Sequence, residues 1–154
     1  MKMTDKNIKE RHENTYMAIK NLEREMQKHQ KFFLKKNAFG YLSFDEWLVS
    51  SRLSVIKCFE LAMHVLWRYL KLYGEVVGGM TFENNSPKAI VRVCHHARII
   101  DELEAEGLIF MIEGRNNTSH IYKEEIAQQL FCSIEKYYKV MKNIIDRLKP
   151  SVEM

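Results

Sequence analysis

Apolar and amphipathic positions recur at three- and four-residue steps through most of this sequence. Between about Asn7 and Lys35 they fall at Ile8, His12, Thr15, Ile19, Leu22, Met26, Gln30 and Phe33, the period of one face of an α-helix. A long first helix is therefore predicted. Asn37-Ala38-Phe39-Gly40 interrupts it, with Gly40 suited to a left-handed helix end, and Ser43 followed by Glu46 forms a capping box that opens a second helix. Its stripe runs through Leu48, Val55, Phe59, Met63, Leu66, Trp67 and Leu70 and is predicted to stop near Gly74, ahead of Gly78-Gly79. This is the most apolar of the helices, hence the one expected deepest in the core.

Asn84-Asn85-Ser86-Pro87 is a helix start: Ser86 can accept from exposed backbone amides, and proline fits the first helical position without losing a bond. Ile90, Val93 and Ala97 carry the third helix. Asp101-Glu102-Leu103-Glu104 places acids where a helix N-terminus favours them, opening a fourth piece that leads toward Ile112 and ends near Gly114. Ile126, Leu130, Ile134, Tyr137, Met141, Ile144 and Leu148 form the cleanest stripe, closed by Pro150. With 6 Gly and 2 Pro, turn chemistry is too scarce to connect many short strands. The predicted fold is all-α, an antiparallel bundle of four to five helices. No repeat, low-complexity tract or linker divides the sequence, so residues 1–154 are expected to form one domain.

Bulk properties alter this picture little. Hydrophobic residues make up 46% and charged residues 29%, a globular balance without a disordered signature. The net charge of +4 is spread over 24 basic and 20 acidic residues, which permits a polyanionic partner without indicating one. The Met-Lys-Met-Thr-Asp-Lys start has no signal-peptide core, and the most apolar stretch, Val55 to Leu66, is interrupted by Lys57, Glu60 and His64. A cytoplasmic protein without membrane contact is expected. Cys58, Cys94 and Cys132 are widely spaced and odd in number, which suits buried free thiols better than a disulfide or a metal site.

The chemistry concentrates in Arg115-Asn116-Asn117-Thr118-Ser119-His120-Ile121-Tyr122, between the fourth and fifth helices. Thr118 or Ser119 can cap the last helix, whose free amides favour an anion, and Arg115 supplies a permanent planar cation suited to phosphate. His120 can exchange protons near neutral pH. On composition alone the simpler reading, a polar loop that only caps two helix ends, is the favoured one. The spacing changes that.

Arg-x4-His-x-Tyr, formed by Arg115, His120 and Tyr122, resembles the signature of HEPN domains, and the fuller Arg-Asn-x-Thr-Ser-His-x-Tyr resembles their nucleotidyltransferase-associated branch. Phe59-Glu60, Trp67, Leu70-Lys71 and Ser86-Pro87 also match that branch, so the resemblance spans roughly residues 50 to 140. His64 stands where relatives often carry an acid, Lys88 where Arg is usual, and Leu108 where Trp is common. The resemblance implies an all-α homodimer in which two Arg-x4-His motifs face each other across a cleft. It implies a toxin that is a metal-independent endoribonuclease, with Arg115 and His120 catalytic, RNA as substrate and no cofactor. It further implies a partner, a minimal nucleotidyltransferase antitoxin that silences the toxin by transferring AMP to Tyr122. Asn116 and Ser119 support the motif. Glu60, an acid beside Phe59 in the most apolar helix, needs a cation partner, with Arg115 and Arg52 the candidates.

A second function uses the same residues: a noncatalytic subunit that presents a substrate to the nucleotidyltransferase. His120 favours catalysis, because a phosphate cradle needs cations and amides but no proton shuttle. Three other groups read as ordinary structure. Adjacent His95 and His96 project about 100° apart on a helix, too far to share a metal ion. Lys28, Lys31, Lys35 and Lys36 around Phe32 and Phe33 read as a solvated face, and Trp67, Tyr137 and Tyr138 as core.

Overall fold

The computed structural model describes residues 3–33, 44–117 and 124–150, with side chains except at 3–5, 32–33, 44–45, 114–117 and 124–127. Among the described residues there are five helices and no strand: α1 (Met3–Phe33), α2 (Phe44–Val76), α3 (Pro87–His96), α4 (Glu102–Asn117) and α5 (Glu124–Arg147). The all-α bundle predicted from periodicity is the observed architecture. No helix among these residues is long and apolar enough to cross a membrane.

α1, α2 and α5 form the centre. α1 and α2 run antiparallel, shown by contacts of Thr15 Oγ1 with the Val65 carbonyl, Ser54 with Glu25, and Ser51 with His29. α5 is also antiparallel to α1: His12 Nε2 lies 2.8 Å from the Ile145 carbonyl and Tyr138 reaches Glu23. α5 therefore runs alongside α2 in the same direction, and the Tyr69 hydroxyl donates to the Leu148 carbonyl. Phe59, Met63, Leu66, Tyr69 and Leu70 of α2 are essentially sealed from solvent, against Ile134, Met141, Ile144 and Ile145 of α5. Truncating a side chain such as Phe59 to alanine typically costs about 3–5 kcal/mol. On α1 the buried line is Ile8, Thr15, Ile19, Leu22 and then His29, while Gln30 is exposed. A 3.6-residue turn moves the inward position back by one there, and the predicted Gln30 step overshoots it.

α2 ends at Val76, two residues past Gly74 and ahead of Gly78-Gly79 as predicted, with Gly79 at a left-handed φ of 61°. Gly74 is buried within the helix because Phe82 folds back over it; a Cβ at Gly74 would lie 2.8 Å from Phe82 Cζ. α3 starts as predicted, with Ser86 extended and its hydroxyl accepting from the Ala89 amide. It ends when Ile99 N–H donates to the Cys94 carbonyl and Arg98 takes a left-handed φ of 61°, the position glycine usually fills. α4 opens with a reciprocal cap: Glu104 N–H donates to Asp101 Oδ1 and Asp101 N–H donates to Glu104 Oε1. The Glu104 side chain is 7% exposed and also accepts from Arg147, at 2.6 and 2.7 Å, which joins the start of α4 to the end of α5. α4 does not stop near Gly114 but continues through Asn117. A glycine inside a helix costs only about 1 kcal/mol and need not end it.

Candidate functional site

Arg115 and Asn116, expected in a loop, belong to the last turn of α4. Their backbone is helical; their side chains, and all of Ser119, His120 and Tyr122, lie outside the described residues. This position helps an arginine electrostatically, since unpaired carbonyls at a helix C-terminus favour a cation. Beside it, Lys88 at the start of α3 reaches Glu113 at 3.2 Å, so the motif end of α4 adjoins the Ser86-Pro87 helix start. α5 begins at Glu124; its first amides have no partner within the helix and can receive an anion.

The first turns of α5 border a cleft of about 670 Å³ lined by His29, Leu48, Arg52, Gln128 and Gln129, among others. His29 is 7% exposed. Its Nδ1 hydrogen-bonds the Ser51 hydroxyl, its ring stacks on Trp47 at 5.3 Å, and Phe131 meets it edge-on at 4.7 Å. Burial, with the nearby Arg52 cation second, holds its pKa below the usual histidine range. The neutral ring thus acts as a polar strut between α1, α2 and α5. The sequence reading missed it by choosing Gln30; a histidine one step off the apolar line was the available signal.

Glu60 is half-buried and forms no ion pair with Arg52; the side chain of Arg115, the other candidate, lies outside the described residues. An acid at that depth keeps contact with water. Tyr137 stacks on Phe59 at 5.7 Å, and the Tyr138 hydroxyl donates to Glu23 Oε2 at 2.7 Å, holding the Glu23 pKa down. His95, His96, Lys28 and Lys31 are exposed. The free thiols are not uniformly buried: Cys94 is buried, Cys58 half-buried and Cys132 exposed, because Cys132 lies off the inward stripe of α5. Among the described residues no three His, Cys, Asp or Glu side chains gather as a metal site requires.

A crystal structure of a protein from Thermus thermophilus superposes with a TM-score of 0.68 at 22% identity, covering 88% of this chain and 98% of that one. At that identity the likeness establishes the fold alone. No curated protein matches the sequence. Residues 10–150 match the family model described as nucleotidyltransferase substrate binding protein like. That match includes all five helices apart from the first turns of α1, the α4–α5 junction and the Arg115 to Tyr122 octet, and the chain belongs to this nucleotidyltransferase substrate-binding-like family.

Proposed function

We propose that the chain is a HEPN-type toxin, a metal-independent endoribonuclease silenced by AMP transfer from a partner nucleotidyltransferase. The observation that carries this reading is the Arg115, His120, Tyr122 spacing at the α4–α5 junction of a member of this family. RNA holds its own nucleophile. The ribose 2′-hydroxyl attacks the adjacent phosphorus, its proton passes to one His120, and the 5′-oxygen leaves as it accepts a proton from the second, giving a 2′,3′-cyclic phosphate. Arg115 neutralises the charge that develops on the phosphoryl oxygens. One histidine cannot serve as base and acid in the same step. A homodimer supplies two, and its symmetry sets the motifs opposite each other.

A nucleotidyltransferase would silence this site by joining the Tyr122 oxygen to the α-phosphorus of ATP, with pyrophosphate leaving. The attached anion would occupy the cleft and engage Arg115 in place of RNA. The decisive assay is labelled total RNA with EDTA and no partner. Wild type is expected to cut it and His120→Ala to leave it intact. Equal cleavage by both, or by neither while both remain folded dimers, refutes the nuclease. In the second outcome the family description favours the other reading, a noncatalytic subunit presenting a substrate to the nucleotidyltransferase. If Tyr122→Phe remained fully silenced by the partner, AMP transfer to that hydroxyl would be excluded.

A further inference from the structure

At the opposite end of α4, the turn from α3 borders an open cleft of about 820 Å³. Arg92, His95 and His96 enter it at one-turn spacing along the last turns of α3, and Arg98 follows. Its two acids are committed elsewhere. Asp101 caps α4, and Glu104 receives Arg147, which also donates to the Ile99 carbonyl. Arg92, Arg98, His95 and His96 have no hydrogen bond or ion pair among the described residues. The cleft thus presents the guanidinium groups of Arg92 and Arg98 with the two imidazoles, while Glu104 is paired with Arg147 and Asp101 caps α4. Arg98 also holds a left-handed φ of 61°, where glycine would be less strained.

We infer that this cleft binds the phosphate backbone of a single nucleic-acid strand, giving the RNA a second hold on the protein; this rests on the reading that RNA is the substrate. Guanidinium groups suit phosphate oxygens bidentately. An acidic protein partner fits less well, because the uncharged lining, buried Ile100 and half-buried Ile99, offers no exposed apolar anchor. No Phe, Tyr or Trp lines the cleft, and its strongest donors are guanidinium groups, so the main contact is to the backbone and largely indifferent to sequence. Arg115 lies thirteen helical steps beyond Glu102 on α4, about 20 Å along the helix, so a strand held in the cleft must span that distance to meet the motif.

The test is fluorescence anisotropy with a labelled, uncleavable 2′-O-methyl RNA oligonucleotide on the full-length protein, which separates binding from cleavage. Arg92→Gln combined with Arg98→Gly is expected to weaken binding at least 10-fold and to shallow the dependence of log K on log salt by about 1.4, two single-strand phosphate contacts. Lys57→Gln with Lys136→Gln, removing two exposed charges elsewhere, is expected to change binding less than 3-fold. Arg98→Gly alone relaxes the turn, so its Tm is expected to hold or rise while affinity falls; that separates lost contact from lost structure. Equal losses in the two double variants, no loss in the first, or competition by ATP or inorganic phosphate as effective as by the unlabelled strand would each overturn the assignment. Failure here leaves the His120→Ala comparison unaffected, and failure of that comparison leaves this binding result intact.

Discussion

Replacing Arg147 by methionine keeps much of its volume and removes its charge, leaving the Glu104 carboxylate in place. Glu104 is 6% exposed and would lose both Arg147 hydrogen bonds, at 2.6 and 2.7 Å, keeping on Oε1 only the Asp101 amide. Breaking a fully buried pair costs about 3–5 kcal/mol. The Arg147 side chain is 46% exposed, so water can approach the vacated side, and the expected cost is about 2 kcal/mol. In a domain of this size that lowers Tm by roughly 4–8 °C. Glu104→Gln keeps the cap to Asp101 and strands only an arginine that can turn to solvent, so about 1 kcal/mol is expected. The double variant should be more stable than the two single losses predict, by about 1 kcal/mol. Thermal and urea melts of the four proteins measure this. A Tm within about 2 °C of wild type for Arg147→Met, or strictly additive losses, would refute a stabilising clamp between α4 and α5.

Four further outcomes follow from the geometry. His29 has a lowered pKa in the fold, so the unfolded chain binds its proton first; stability is expected to fall as pH drops below about 6.5, and His29→Phe to flatten that limb of urea melts run across pH. Glu23 is held below the usual carboxylate range, mainly by the Tyr138 hydroxyl. Its contribution is present above the unfolded pKa and is lost as pH falls through the folded one, so Tyr138→Phe should cost about 1 kcal/mol at neutral pH and less near pH 3. Burial pushes the Cys94 thiol up to about 11 and raises Cys58 as well; an aromatic disulfide reagent at pH 8 should therefore titrate exposed Cys132 quickly, and all three thiols only after unfolding. Gly74→Ala improves helix propensity but drives a methyl into the Phe82 ring, and a lower Tm is expected; an unchanged or higher Tm would mean the ring moves aside freely.

Helix number and order were legible because the stripes of α1, α2 and α5 are long and the starts of α3 and α4 carry their own chemistry; Ser86 caps α3 and Asp101 with Glu104 caps α4, while the predicted caps at Ser43 and at Thr118 or Ser119 lie outside the described residues. Endpoints marked by glycine were legible only in part: α2 ends just before Gly78-Gly79, but other glycines did not mark ends. Gly74 and Gly114 both lie inside helices, one making room for Phe82 and the other followed by three more helical residues. A glycine signals a helix end where a left-handed turn is needed: Gly79, at φ 61°, supplies it after α2, whereas after α3 it falls to Arg98. Buried polar residues were invisible for a related reason: His29 and Glu104 satisfy themselves through Ser51 and Arg147, which are distant in sequence. The motif was legible as spacing. What the structure adds is that Arg115 stands on a helix, a placement no loop composition could reveal.

That helix also has mechanical meaning. α4 is a stiff rod fixed near its base by the Glu104–Arg147 pair, with Arg115 about 17 Å away toward its tip. If the base loosened enough for the rod to lean by about 3°, the tip would swing by about 1 Å, a displacement that can cost a positioned catalytic group about 100-fold in rate. A residue outside the motif thereby acquires leverage over it, and if the chain is the nuclease proposed above, damage at the clamp should appear in turnover before it appears as unfolding.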